Sequence, residues 1–179
     1  MAMLGAAQNR YADPAAWDRL HAELGIRLPA DYRTLVDAYA PIKINGHLYL
    51  HHPATDRWNL GSWIRETAGA WAEVPWDELD PDEDPRLLFG VPESGFGVRN
   101  GPWPIASTDR GETLFLVAAD GTAPWLLVGD GGGGWVRYDV GFAEWLYRCL
   151  IGEDMAGPGT ATFYPGPVQL CRLPMSADE

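Results

Sequence analysis

From Arg86 onward the sequence breaks into short apolar runs set apart by turn residues, and this rhythm limits the fold more than any other feature. The runs are Leu87-Leu88-Phe89, Trp103 to Ala106, Thr113 to Val117, Trp125 to Val128 and Trp135 to Tyr138. Arg99-Asn100-Gly101, Asp109-Arg110-Gly111 and Asp120-Gly121 lie between them. Strand-length runs joined by hairpin-length links predict an antiparallel meander, because a parallel pair needs a crossover of a dozen or more residues. The glycine run Gly129 to Gly134 sits in this pattern. Its spacing, Gly129-x-Gly131-x-x-Gly134, matches a dinucleotide-phosphate loop. Such a loop needs a helix directly behind it to supply amide donors and a dipole. Here Trp135 to Tyr138 reads as a strand, so the run is predicted to be a hairpin tip.

The first half has helical spacing. Asp13-Pro14 reads as a capped start, Trp17, Leu20 and Leu24 as a stripe, and Gly25 as a stop. A second helix follows Leu28-Pro29 with stripe Tyr32, Leu35, Val36 and Tyr39. Asn45-Gly46 predicts a tight turn, with a strand over His47 to Leu50 behind it. A third helix is predicted over Leu60 to Ala72, burying Trp63, Ile64 and Trp71. The last runs from Phe142 to Ile151, with Phe142, Trp145, Leu146 and Cys149 on one face. The pattern as a whole predicts an α+β domain over residues 1–152, with an antiparallel sheet of about five to six strands and flanking helices. Residues 153–179 read as a loosely ordered Gly/Pro-rich tail with one apolar segment, Val168 to Leu173.

Charge narrows the function. The 179 residues carry a formal net charge of −12, which disfavours nucleic-acid phosphate and suits a basic protein partner. The densest acidic stretch, residues 76–85, holds Asp77, Glu78, Asp80, Asp82, Glu83 and Asp84 without a cation. It reads as a solvated loop or as an acidic surface for such a partner. With nine tryptophans, core packing explains most, and strand residues Trp103, Trp125 and Trp135 are candidates for interface anchors.

No catalytic motif stands out. No serine lies in a Gly-x-Ser-x-Gly frame, and there is no phosphate-binding Walker loop or HExxH. His47, His51 and His52 read as surface or turn histidines rather than a zinc site, since 47 and 51 lie about 13 Å apart along a strand. No cofactor or metal is expected. Two cysteines at no ligand spacing, no signal-like start and no apolar stretch long enough to span a membrane predict a cytoplasmic protein.

The order of signals resembles the SUKH (Smi/Knr-like) superfamily over about residues 13–152. The resemblance rests on Leu28-Pro29-Ala30-Asp31-Tyr32-Arg33-Thr34-Leu35, on Pro104-Ile105-Ala106 leading through Asp109 to Gly111-Glu112, and on the closing Val140-Gly141-Phe142-Ala143-Glu144-Trp145-Leu146. Residues 76–85 and the tail lie outside that pattern. The resemblance implies a non-enzymatic binding domain, and in bacteria often an immunity protein that neutralises a toxin. A regulatory or scaffold module of the same fold is the alternative. On the first reading Asp77, Glu78, Asp80, Asp82, Glu83, Asp84, Asp109, Glu112 and Asp130 would rim the contact, with Trp103 and Trp135 as anchors.

Overall fold

The computed structural model describes residues 2–91, 95–118, 123–162 and 167–175. Seven strands form one antiparallel sheet: β1 (Ile42–Ile44), β2 (Leu48–Leu50), β3 (Pro102–Thr108), β4 (Thr113–Val117), β5 (Trp125–Gly129), β6 (Trp135–Tyr138) and β7 (Leu170–Arg172). Their order is β6-β5-β4-β3-β2-β1-β7. The helices are α1 (Pro14–Leu24), α2 (Ala30–Tyr39), α3 (Leu60–Ala72), α4 (Pro85–Phe89) and α5 (Phe142–Leu150). The α+β class with an antiparallel sheet and flanking helices is therefore the fold, with a seven-stranded sheet.

Local chemistry places the ends. The Asp13 carboxylate accepts the Ala15 amide at 2.9 Å, Pro14 takes the first helical position, and Gly25 closes α1 at φ 69°. The cap of α5 is tertiary: Asp31, in the first turn of α2, accepts the Ala143 amide at 3.0 Å and ties the starts of the two helices together. The glycine run is a hairpin tip. β5 and β6 pair antiparallel, Gly129 opposite Trp135. Asp130 Oδ1 accepts the amides of Gly132 and Gly134 at 2.8 and 2.9 Å, so donors that a phosphate would need are already taken.

Strands β4 and β5 are buried on both faces, with side chains alternating between two cores. Leu114, Leu116, Leu126 and Val128 join a large core with Trp17, Tyr32, Leu35, Val36, Ile64, Phe142 and Trp145 from the helices. Phe115, Val117, Trp125 and Leu127 join a smaller one with Trp76, Val91 and Phe96. Helix α3 serves both, through Ile64 in the first and Trp71 against the second. Trp63 and Trp71 remain partly exposed rather than buried.

Three expectations need correction and one strand is added. Leu87-Leu88-Phe89 is not a strand but the body of α4, because Asp84 caps the Arg86 amide, Pro85 opens the helix and Gly90 closes it at φ 65°. The chain before Asn45-Gly46 forms β1, whose pairing with β2 puts Ile42 opposite Leu50. The C-terminal segment is not a loose tail throughout. Leu170–Arg172 pair with β1, and Met155 and Ala156 lie in the large core, with Trp145 Nε1 donating to Met155 O at 2.6 Å. The acidic stretch is not an open loop, as set out below. The Asp120-Gly121 turn lies outside the described residues.

Candidate functional site

The acidic stretch is pinned to the second face of the sheet at two points and clamped to itself at a third. Trp76 begins a 3-10 turn (Trp76–Glu78) and is buried, its ring stacked on Phe96 and Trp71 at centroid distances of 5.4 and 6.1 Å. The Glu83 carbonyl accepts Trp135 Nε1 at 2.9 Å. Arg86 ties the stretch together: its Nη2 meets Asp77 Oδ1 at 2.7 Å and Asp84 Oδ2 at 2.9 Å, and its Nε meets both Asp84 oxygens. Burial alone would raise the Asp84 carboxyl. The Arg86 guanidinium and the amides of Arg86 and Leu87 outweigh it and hold the group below its ordinary range. Arg86 is correspondingly raised, first by Asp84 and then by Asp77.

What remains outward is a defined surface. Glu78, Asp80 and Asp82 are exposed, and the Asp77 side chain is 93% exposed. Beside them Leu87 and Leu88 are 68% and 45% exposed on α4. A cleft of about 310 Å³ separates the end of α3 from this stretch, lined by Val74, Trp76, Asp77, Glu78 and Arg86.

The strand-turn residues gather at one end of the sheet. The β3–β4 turn approaches the glycine tip, and the tip meets Glu83, whose side chain lies about 3.0 Å from where a Cβ on Gly133 would be. Asp109 is engaged by His47 Nδ1 at 2.9 Å and Lys43 Nζ at 3.4 Å, which offset the effect of burial and lower its carboxyl. Glu112 is buried, paired with Arg110 at 3.4 Å and bonded to the Thr108 hydroxyl. Asp130 caps its own hairpin.

Burial withdraws Asp84, Glu112 and Trp103 from the molecular surface, and Trp135 is partly buried in the aromatic cluster. None of the nine tryptophans is exposed. Leu87 and Leu88 are exposed, as are Met3, Tyr147 and Ile151 elsewhere, and the leucine pair was hidden to sequence reading by its assignment to a strand. The Asp-Pro before them and the Gly after them were the available signal.

The histidines divide. His47 is at the surface beside Asp109, but His51 and His52 are buried, contrary to their reading as surface or turn residues. Desolvation pushes His51, packed between Trp58 and Trp63, down to about 4. His52 is also lowered by burial, against a raising effect from Asp37, 3.3 Å away. Among the described residues no three His, Cys, Asp or Glu side chains are placed to hold a metal ion. No helix among them is long and apolar enough to cross a membrane.

Comparison with protein-family models, with curated proteins and with solved structures finds no match for this chain.

Proposed function

We propose that this chain is a non-enzymatic, cytoplasmic protein-binding domain of SUKH type, an immunity protein that occludes a basic toxin. The observation that carries the reading is the pinned acidic segment. Its carboxylates at 77, 78, 80 and 82 are exposed on the same segment as two exposed leucines, on a chain of net charge −12. Leucines supply the desolvated centre of a contact, and fixed carboxylates supply a polar rim and long-range attraction. A segment already ordered loses little conformational freedom on binding. Buried Asp84 and half-buried Arg86 act one step back: they set the segment's shape rather than touch the partner.

Affinity capture from native lysate with the tagged chain, read by mass spectrometry at low and high salt, tests the proposal. The expected result is one basic polypeptide retained at low salt, depleted at high salt and inhibited in its toxic activity by the purified chain. Several neutral partners held equally at both salts would overturn it in favour of a scaffold role.

A further inference from the structure

We propose a second binding site, at the opposite edge of the sheet from the acidic segment, that takes a small organic anion. A cavity of about 290 Å³ opens between the N-terminal segment, the end of α2 and the residues following β7. Its lining includes Arg10, Tyr11, Tyr39, Pro41, Arg172 and Pro174. The volume is at the low end for ligand pockets, which sets the size of the occupant.

The walls are held in place. Gln8 N donates to Ala38 O at 2.9 Å, Leu173 N to Pro41 O at 3.4 Å, and Trp58 Nε1 to Pro174 O at 3.0 Å. Arg172 is in register with Ile42. The site is thus preformed by three separate stretches of chain.

Its charge runs against that of the molecule. Elsewhere Arg65, Arg86, Arg137 and Arg148 each hold a carboxylate, as expected where 25 acids face 13 Lys and Arg. Arg10 lies over the Tyr11 ring at 5.2 Å, and Arg172 Nη2 meets the neutral Gln8 Oε1 at 2.7 Å. Among the described residues neither has a carboxylate partner. Two guanidiniums on one cavity, with no carboxylate partner among the described residues, present the fork geometry that binds carboxylate or phosphate. Tyrosine and proline walls suit an apolar body attached to that anion. The ligand class is a small carboxylate or phosphate monoester with a compact apolar or aromatic group.

Benzoate, phenyl phosphate and the neutral control benzyl alcohol, titrated into the intact chain, test this by calorimetry and amide chemical shifts. At least one anion should bind and shift the amides of Arg10, Tyr11, Tyr39 and Arg172. Which anion binds more tightly separates carboxylate from phosphate. Arg10→Gln with Arg172→Gln should weaken binding tenfold or more, while Arg65→Gln should not change it. If the double variant fails to fold, Arg10→Gln alone should weaken binding at least threefold. No shift with either anion, equal binding of benzyl alcohol, or unchanged affinity in the arginine variants would overturn the proposal.

Discussion

On one face of the sheet Leu114, Leu116, Leu126 and Val128 meet helices whose apolar residues recur at three- and four-residue spacing. On the other, Phe115, Val117, Trp125 and Leu127 meet the last turn of α3, through Trp71, and an irregular stretch that follows it. The first cover is regular and deep. The second is a chain of aromatic contacts, Trp71, Trp76, Phe96, Phe115 and Trp135, with carboxylates on its outer side. The same sheet thus carries one face built for stability and one whose cover doubles as a charged surface. Regular helices close a core through many small contributions. An irregular segment depends on a few large ones, here Trp76 and the Arg86 clamp.

Substitutions should separate the two faces. Leu116→Ala removes a buried side chain from the large core and should cost about 4 kcal/mol. In urea its midpoint should fall with the slope unchanged, the whole domain unfolding together. Trp76→Ala should cost about 3 kcal/mol but act locally. Its slope should fall as well, because the released segment no longer adds surface on unfolding. A Trp76→Ala transition with the native slope would show the two faces to be one cooperative unit.

Acid should also distinguish them. His51 packs on the helix-covered side, and the aromatic cluster has no histidine. His51 binds a proton near pH 6.5 when unfolded but only near 4 when folded. Between those values the unfolded state holds more protons, so stability is fully present above about 6.5 and falls as the pH drops. The loss should be on the order of 2 kcal/mol, with His52 adding in the same direction. His51→Phe should flatten that slope in urea titrations at a series of pH values. A slope unchanged by it would remove His51 as the cause.

The smallest effect on folding should come from Asp80→Asn with Asp82→Asn and Glu83→Gln, within about 0.5 kcal/mol, since Asp80 and Asp82 are exposed, Glu83 is half-exposed and all three changes keep the side chain's size. The same triple variant should slow association with the captured partner, most of all at low salt, as read by stopped-flow mixing. An unchanged rate would take the segment out of recognition. Asp84 is left intact in this variant because its loss would strip Arg86 of its clamp.

Sequence legibility followed the same division. The first face could be read: α1, α2, α3 and α5 each combine a periodic stripe with Pro, Gly or Asx punctuation, and the meander β3 to β6 shows its turns. The second face was hidden by composition. Six carboxylates with no cation within residues 76–85 resemble a self-repelling loop, yet the two groups that pin them sit at its margins, Trp76 at one end and Arg86 just beyond the other. Asp84-Pro85 and Gly90 repeat the punctuation of Asp13-Pro14 and Gly25. The three apolar residues between them outweighed it and suggested a strand. β1 and β7 were missed for another reason. Three-residue strands have too little periodicity to stand out, and β7 pairs with a strand more than 120 residues away. Of the residues expected to face a partner, the exposed carboxylates were legible, but Trp103, Asp84 and Glu112 were not distinguishable from them, because burial is set by tertiary register.

Residues 76–89 form a fixed platform rather than a solvated loop, and native-state amide hydrogen exchange distinguishes the two. The amides of Arg86, Leu87 and Leu88 all donate to Asp84. They should exchange far more slowly than unstructured amides and lose that protection in Trp76→Ala while β4 and β5 keep theirs. Exchange of these amides at unprotected rates in the unaltered chain would contradict the account.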